Sequence, residues 1–306
     1  MMKTPLRIAA AFLLAATLIV PAAAQEKIKF TKKSLVKGAV VTVVRTTSED
    51  MTQSQTVAGQ DHSMVSTSRS KYVRVWTVLE TSDKGVTKAK VEFKTFESEG
   101  KMTSGGQDRD TSEESPLTGK TYILTAAKSG LEATTVEKEA VSAPEMEALN
   151  KKLKSRLAVG VLVDPHRKMD LAIGAREMTI GQKITVDREI ANKVFGAGNG
   201  DKKIKAIHLT LTGKKSVFGV DCGVFDIKLE LDFDKAKEQG LEITADLKGE
   251  LLVGINSLWA YKANVAGPIR GEGTVASQMG DMVFSLNGKT AMSAMAAIVT
   301  PKPAKK

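Results

Sequence analysis

Along most of this chain, apolar and polar residues alternate one by one. The pattern is clearest over 225–233, 241–253 and 259–269. Side chains of an extended strand point alternately to opposite faces, so a period of two indicates strands with one buried and one solvent-facing side. Such strands are typical of antiparallel sheets. Roughly a dozen of them, separated by turns such as Asn199-Gly200 and Asn287-Gly288, predict a mainly β protein.

Only one segment carries a convincing helical pattern. Ser142 is a candidate N-cap and Pro144 opens the helix. Four apolar residues then follow at helical spacing: Met146, Leu149, Leu153 and Leu157. We expect this apolar stripe to pack on the sheet. A second, shorter helix is predicted from Asp187, because Ile190 and Val194 lie four residues apart.

The first 24 residues have the composition of a secretory signal peptide. A basic start with Lys3 and Arg7 precedes an apolar run over 8–20, and the run of alanines that ends at Ala24 forms a small-residue cleavage signal. The apolar run is shorter than the roughly 20 residues that span a bilayer. We therefore expect cleavage after Ala24 and export to a bacterial periplasm or beyond, with no transmembrane segment in the mature chain.

The mature chain is predicted to be one β-rich domain over 25–300 with a disordered basic tail over 301–306. The whole chain has a net charge of +10, of which Lys3 and Arg7 contribute two, and the other charges are spread along the sequence. A basic surface attracts anionic partners without specificity. For an exported protein these are lipid headgroups, acidic glycans or wall polymers, so we expect a lipid or another envelope component as partner and no nucleic acid.

The only cysteine, Cys222, lies in the segment GVDCGVF at 219–225. A nucleophile elbow places its nucleophile midway between two glycines. Here Gly219 and Gly223 are centred on Asp221, and a strand-like sequence follows. A lone cysteine cannot form an internal disulfide. The segment therefore predicts a structural cysteine.

The apolar positions around Cys222 change parity between Val224 and Phe225. One extra residue in a β-bulge would produce this change. We therefore predict a bulge in this strand, with Cys222 and Val220 both on the inward face. Nothing nearby supplies the basic, partly open setting of a reactive thiol. Cys222 is expected to behave as a small buried hydrophobe.

The three histidines, His62, His166 and His208, are far apart in the sequence. No pair has the close spacing of a helical zinc motif, and the alternation around His208 places it on a polar face beside Thr210. We expect no metal, no cofactor and no catalytic residues, and the sequence assigns no ligand-binding residues.

Three further segments imitate known sites. Gly119-Lys120-Thr121 and Gly288-Lys289-Thr290 look like the end of a phosphate-binding loop but lack its first glycine. The acidic stretch 103–116 lacks the glycine and the last carboxylate of a calcium-binding loop. We interpret the first two as strand segments and the third as a solvated surface loop.

The stretch 46–71 is rich in strand-forming residues but poor in large apolar side chains. Residues 58–61, Ala-Gly-Gln-Asp, predict a hairpin tip, and Val73, Val75 and Leu79 restore an apolar face beyond it. The pattern favours a polar hairpin that projects past the core. A mobile loop is the alternative.

Several segments together resemble an uncharacterised family of exported bacterial β-rich proteins, defined by a domain of unknown function. They are, in order, Lys37-Gly38, MTQSQTVAGQ at 51–60, PLTGKTY at 116–122, IGQKITV at 180–186 and GVDCGVFDIKLEL at 219–231. The resemblance spans most of residues 30–275 and implies an exported β-rich fold without known catalytic residues.

The expected architecture is a large, curved antiparallel sheet with the helix that begins at Pro144 packed on one face. That outline is similar to the open half-barrels of periplasmic carriers of lipids and lipoproteins. One fold hosts many functions, so this likeness concerns architecture.

Three functional hypotheses follow. The first is a non-enzymatic envelope protein whose curved sheet binds an apolar or lipidic ligand or another envelope component. The second is an exported hydrolase or carbohydrate-active enzyme whose acidic residues are dispersed in the sequence. The third is a structural or adhesive module that uses the polar hairpin 46–71 and the basic surface.

Overall fold

The computed structural model describes residues 26–127, 130–153, 157–158, 161–162, 169–195, 203–277 and 280–301. The predicted signal peptide, His166, the Asn199-Gly200 turn and most of the predicted tail lie outside these residues. Within the described ranges, no helix is both long and apolar enough to cross a membrane.

Strands account for 68% of the structure and helices for 10%, so the chain is mainly β as predicted. The strands are β1 (Lys27–Lys29), β2 (Val40–Val57), β3 (Gln60–Ser82), β4 (Gly85–Ser104), β5 (Gln107–Asp110), β6 (Thr121–Ala127), β7 (Gly130–Thr135), β8 (Leu157–Ala158), β9 (Val161–Leu162), β10 (Glu177–Thr179), β11 (Lys183–Val186), β12 (Lys203–Val217), β13 (Val220–Asp232), β14 (Leu241–Ala245), β15 (Leu247–Gly254), β16 (Ala260–Ser277) and β17 (Gly280–Val299). The helices are α1 (Ala143–Leu153), α2 (Met169–Ala172), α3 (Arg188–Phe195) and α4 (Asp234–Glu238).

Fifteen of these strands form one antiparallel sheet. Its main path runs β11-β12-β13-β15-β16-β17-β2-β3-β4-β6-β7, with β14 paired to β16 and with β5 and β9 paired to β4. The end strands β11 and β7 do not pair with each other, so the sheet is open. β1 and β10 form a separate two-stranded sheet. The predicted fold class, a large curved antiparallel sheet with few helices, is confirmed.

Two hydrophobic cores stabilise the sheet. The first core lies under β2, β3, β4, β6 and β7 and includes Trp76, Tyr122, Leu124 and two residues of α1. The second core lies between β12, β13 and β15 and the elements β1, β10, α2 and α3. At its centre the rings of Phe30 and Phe225 are 5.7 Å apart. Both cores lie near the end of the long strands that is opposite the hairpin tip at Ala58. Toward the tip, the strands contribute few fully buried residues.

β13 contributes to both cores, from opposite faces. Cys222 lies in the first core, whereas Phe225 lies in the second. The register between β13 and β15 is continuous from Cys222↔Gly254 to Leu229↔Leu247. The predicted bulge in β13 is therefore wrong. The apolar side chains change from even-numbered to odd-numbered positions because Cys222 faces the first core and Phe225 faces the second, on the opposite side of the strand. The local irregularity lies in β12, where Thr212 is skipped between Leu211 and Gly213.

Both predicted helices are present. In α1, Leu149 and Leu153 are buried in the first core, so the main helix packs on the sheet as predicted. Its end differs from the prediction, because Leu157 pairs with Leu162 in the β8–β9 ladder. The shorter helix α3 begins where Asp187 caps it, with the backbone N–H of Ile190 donating to Asp187 Oδ1 at 2.9 Å.

Five strands extend well beyond the cores. β2, β3, β4, β16 and β17 contain 18 to 23 residues each, which corresponds to about 60–75 Å of extended chain. Ala58 and Gly59 have φ of 49° and 77° and form the tight turn at the predicted hairpin tip. The hairpin does not project alone, because β17 pairs with β2 and β4 pairs with β3 along the same stretch. The predicted loop 103–116 contains the short strand β5.

Candidate ligand-binding face

The candidate site is the surface of the long strands that continues the first core toward the hairpin tip at Ala58. Antiparallel pairing places residues of one face opposite each other, as with Arg45 and Tyr72 or with Met51 and Ser66. We call this surface, beyond the first core, the inner face. It comprises the odd-numbered residues 45–57 of β2, the even-numbered residues 64–72 of β3, and the even-numbered residues 96–102 of β4 and 282–292 of β17.

The inner face is more crowded than the opposite, outer face of the same strands. In β17, Met282, Phe284 and Leu286 are half-buried, whereas their neighbours Val283 and Ser285 on the outer face are exposed. The inner face is therefore the less exposed of the two faces of these strands, and it carries the larger apolar side chains. Its side chains are only half-buried, so they remain accessible to a ligand.

Methionine is concentrated on the inner face. Five of the twelve methionines in the chain lie on it: Met51, Met64, Met102, Met282 and Met292. Phe96, Phe284 and Leu286 add three larger apolar side chains. Methionine is unbranched and polarizable, and it adapts to apolar partners of irregular shape. These apolar side chains alternate with polar ones such as Glu49, Gln53 and Gln55, and together they offer an extended apolar group several contacts along the strands.

Two arginines lie where the first core ends and the inner face begins. Arg74 of β3 is only 4% exposed. Its guanidinium carbon is 4.8 Å from the ring centre of Tyr72, 5.8 Å from that of Trp76 and 5.9 Å from that of Phe93. Arg74 Nη2 donates to the Tyr72 hydroxyl at 3.2 Å. Burial lowers the pKa of Arg74 from its ordinary value, and the nearby charge of Arg45 lowers it further.

Three buried donors of this region have no hydrogen-bond acceptor in the described part of the chain: Arg45 Nε, Arg74 Nε and Trp76 Nε1. Arg45 Nη2 donates to Met292 Sδ at 3.1 Å, but a thioether is a weak acceptor. We call Arg45, Tyr72, Arg74 and Trp76 the arginine cluster.

Neither guanidinium of the arginine cluster has a carboxylate within 4 Å among the described residues. Glu49 is the nearest acid on the inner face of β2. It lies four residues from Arg45, about 13 Å along an extended strand. The cluster is thus a concentration of positive charge with little local compensation.

Arg74 was not among the predicted site residues, because the apolar face of β3 was predicted at the odd-numbered positions. The predicted set Val73, Val75 and Leu79 is half-buried, and the structure buries the even-numbered residues 74–78 against the first core. Both parities carry apolar residues here, so alternation alone does not decide which side is covered. Trp76 was the available signal, since its large apolar ring favours the buried side.

Cys222 and His208, two other residues singled out in the sequence, lie in surroundings typical of residues with a structural role. Cys222 is fully buried, and burial, together with the charge of Asp221, raises its pKa to about 11. The prediction of a structural cysteine is therefore supported by its environment. His208 is half-buried between Thr185 and Glu230, at 3.1 and 3.0 Å.

Two further observations concern metals and phosphates. His62 is exposed in β3. Among the described residues, no three His, Cys, Asp or Glu side chains are grouped so as to hold a metal ion. Gly288-Lys289-Thr290 lies inside β17, so the predicted turn at Asn287-Gly288 is wrong. Gly119 and Lys120 lie in a turn that leads into β6 at Thr121.

A lysine-rich groove beside β1 contrasts with the arginine cluster. It is lined by Lys27, Lys29, Lys214 and Lys215. Two of these charges are compensated, because Lys27 pairs with Glu177 at 3.0 Å and Lys214 pairs with Glu26 at 2.5 Å. Exposed ion pairs of this kind are common on protein surfaces. The groove therefore makes a weaker candidate site than the inner face.

Comparisons with known proteins identify no family, since neither a protein-family model nor a curated protein matches the chain. Among solved structures, the chain is similar to lipovitellin, in a structure of its lipid–protein interactions, with a TM-score of 0.39 and 7% identity over 89% of this chain. The chain spans 26% of the lipovitellin chain.

Two other solved structures are similar over most of their length. The outer membrane protein OprG from Pseudomonas aeruginosa has a TM-score of 0.20 and 6% identity over 89% of this chain and 100% of its own. A DUF1329 family protein from Desulfovibrio piger has a TM-score of 0.13 and 9% identity over 85% of this chain and 87% of its own. These scores assign neither a family nor a function to the chain.

Proposed function

We propose that this chain is an exported, non-enzymatic envelope protein that binds an apolar or lipidic ligand along its inner face. The observation that carries the proposal is the half-buried inner face, on which five methionines and three larger apolar side chains lie. A group of accessible apolar side chains on one surface is typical of ligand or partner sites. A long apolar ligand would remove both its own surface and these side chains from water, at about 25 cal/mol per Å².

The proposal includes the location and boundaries predicted from the sequence. Residues 1–24 act as a signal peptide, residues 25–300 form the β-rich domain, and the tail 301–306 follows it. Export places the inner face among the lipids of the bacterial envelope. Membership of the uncharacterised exported family belongs to the same proposal.

The first test is to isolate the exported chain gently from its own envelope and to measure its mass under native conditions. We expect a bound species of lipid mass that is released on denaturation. Finding only the bare chain, together with no binding of a fluorescent fatty-acid probe, would contradict the proposal. The hydrolase and adhesion hypotheses would then be the ones to examine.

The second test separates the inner face from the outer face on one strand. Phe284→Gln replaces a half-buried residue of the inner face, and Val283→Gln replaces its neighbour on the outer face, which is 54% exposed. We expect the first variant to weaken probe binding about tenfold or more and the second to leave it unchanged. Equal effects of the two variants would show that the ligand does not lie on the inner face.

A further inference from the structure

The arginine cluster is difficult to explain as a purely structural feature. A buried guanidinium is costly unless a partner of opposite charge compensates it. Arg74 is 4% exposed, yet no carboxylate among the described residues lies within 4 Å of it. The rings of Tyr72, Trp76 and Phe93 attract the cation, but this attraction leaves its N–H donors without acceptors.

The unused donors belong to neighbouring residues on one face of the sheet. A guanidinium has five N–H donors, and Arg74 makes one hydrogen bond, to Tyr72, within the described part of the chain. Arg45 lies opposite Tyr72, one diagonal step from Arg74 on the same face. Arg45 Nε, Arg74 Nε and Trp76 Nε1 are all buried without an acceptor. Together they form a set of donors suited to an anion with several acceptor oxygens.

The position of the arginine cluster suits the headgroup of an amphiphile. On one side lies the first core, where Val43 and Trp76 are buried, and on the other side the methionine-rich inner face begins. Half the hydrocarbon thickness of a bilayer, about 15 Å, is the length of one acyl chain. Measured from Arg45 at about 3.3 Å per residue, such a chain would extend past Met292, which pairs with Thr47, and end close to Glu49, two residues short of Met51.

We propose that Arg45 and Arg74 bind the carboxylate of a long-chain fatty acid whose tail lies along the inner face toward Met51. This inference rests on the proposed function and adds the chemistry of the ligand. A carboxylate is preferred to a bulkier anion because the three rings leave little access to Arg74, and because its two oxygens match a guanidinium.

The test compares hexadecanoate with hexadecanol, which has the same chain and no charge, on the exported chain after removal of bound lipid. We expect hexadecanoate to bind at least about tenfold more tightly. Arg45→Met and Arg74→Met should abolish this preference. The matched control is Arg69→Met, since Arg69 is exposed on the outer face of β3 opposite Glu99, and it should retain the preference.

The outcomes separate this inference from the function on which it rests. If neither ligand binds, the proposed function fails. If both bind equally and the Arg45→Met and Arg74→Met variants behave like the parent chain, the ligand-binding function stands and the headgroup inference is overturned. Tighter binding of a lysophospholipid phosphate than of hexadecanoate would overturn the choice of a carboxylate.

Stability without ligand provides an independent measurement. If the charge of Arg74 is compensated only by a bound anion, Arg74→Met should retain or raise the melting temperature of the free chain. The reason is that an uncompensated charge is replaced by an apolar side chain. Hexadecanoate at a fixed concentration should then stabilise the chain with both arginines more than either variant. A lowered melting temperature in Arg74→Met, with the hexadecanoate preference intact in that same variant, would assign Arg74 to packing alone.

Discussion

At the scale of single residues, Glu145 shows how one carboxylate can join a helix to the sheet. Its side chain accepts hydrogen bonds from the backbone N–H and hydroxyl of Ser142, from the Tyr122 hydroxyl and from Lys120. The hydrogen bond from the Ser142 backbone N–H to Glu145 is one half of a capping box at the start of α1. The hydrogen bond from Lys120, followed by those from Ser142, lowers the pKa of Glu145 to about 2.

This network makes the stability of the protein depend on pH. Because the folded pKa of about 2 lies below the ordinary value of 4.5, the contribution of Glu145 is complete above pH 4.5 and is lost as the pH falls toward 2. We expect Glu145→Gln to lower the free energy of unfolding by about 1–2 kcal/mol at pH 7. The difference from the parent chain should shrink in denaturant titrations at successively lower pH.

Glu147→Gln is the matched control, because Glu147 lies on the same helix and is exposed. It should change the free energy of unfolding by less than about 0.5 kcal/mol. A pH-independent difference between Glu145→Gln and the parent chain would contradict the assigned role of the Glu145 charge.

The arginine cluster contrasts with Glu145, because its charge is not compensated by an opposite charge among the described residues. Glu145 is an acid whose charge is met by a lysine and by hydrogen-bond donors, and Arg74 is a buried cation without an acid among the described residues. The first arrangement stabilises the chain by itself. The second would become favourable with a bound anion, and the proposed carboxylate site rests on this difference.

At the scale of secondary-structure elements, glycines allow β15 and β16 to approach closely. A Cβ on Gly249 of β15 would lie 1.7 Å from the backbone oxygen of Asn264 in β16. Gly267 of β16 is equally confined, at 1.9 Å from the backbone oxygen of Asp246. β16 pairs first with β15 and then with β14 along its length. The two glycines lie near the junction between these two partner strands, where the backbones leave no room for a side chain.

We therefore expect Gly249→Ala to destabilise the protein by about 1–3 kcal/mol, because the added methyl group must displace backbone. Gly213→Ala in β12 is the matched control, since its Cβ would meet no atom within 4 Å. It should be neutral or slightly stabilising. Chemical denaturation followed by circular dichroism would compare the two variants, and equal stability would refute the close approach of β15 and β16.

At the scale of the whole molecule, the sheet is unevenly stabilised along its strands. Near one end, two cores bury large apolar side chains. Toward the hairpin tip at Ala58, β2 and β3 keep their pairing but lack fully buried residues. Backbone hydrogen bonds without a core beside them open more readily than those within one.

Hydrogen exchange should reveal this gradient. We expect amides of residues 46–70 to exchange about tenfold or more faster than those of β13, whose residues contribute to both cores. A saturating fatty acid should slow exchange in β2 and β3 and leave β13 unchanged. Uniform protection along β2 would show that the inner face is already covered in the free protein.

Much of the fold could be predicted from the sequence, because its signals are local. Alternation located the strands, the residues Ala58 and Gly59 located the hairpin tip, and Asp187 located the start of α3. The candidate site could not be predicted in the same way. Arg74 stands among apolar residues of both parities, and no local signal shows which of them the sheet will cover.

The sequence by itself determined which segments are extended, where they turn and that Cys222 is a core residue, since these properties depend on neighbouring residues along the chain. Only the tertiary structure decided that β13 contributes to two cores and that Arg45 and Arg74 lie on the same face of the sheet. The reason is long-range pairing: β17 joins β2 across more than 200 residues of chain. Odd-numbered and even-numbered residues of a strand lie on opposite faces. Which of the two faces is buried depends on the elements that pack against the strand in the folded protein.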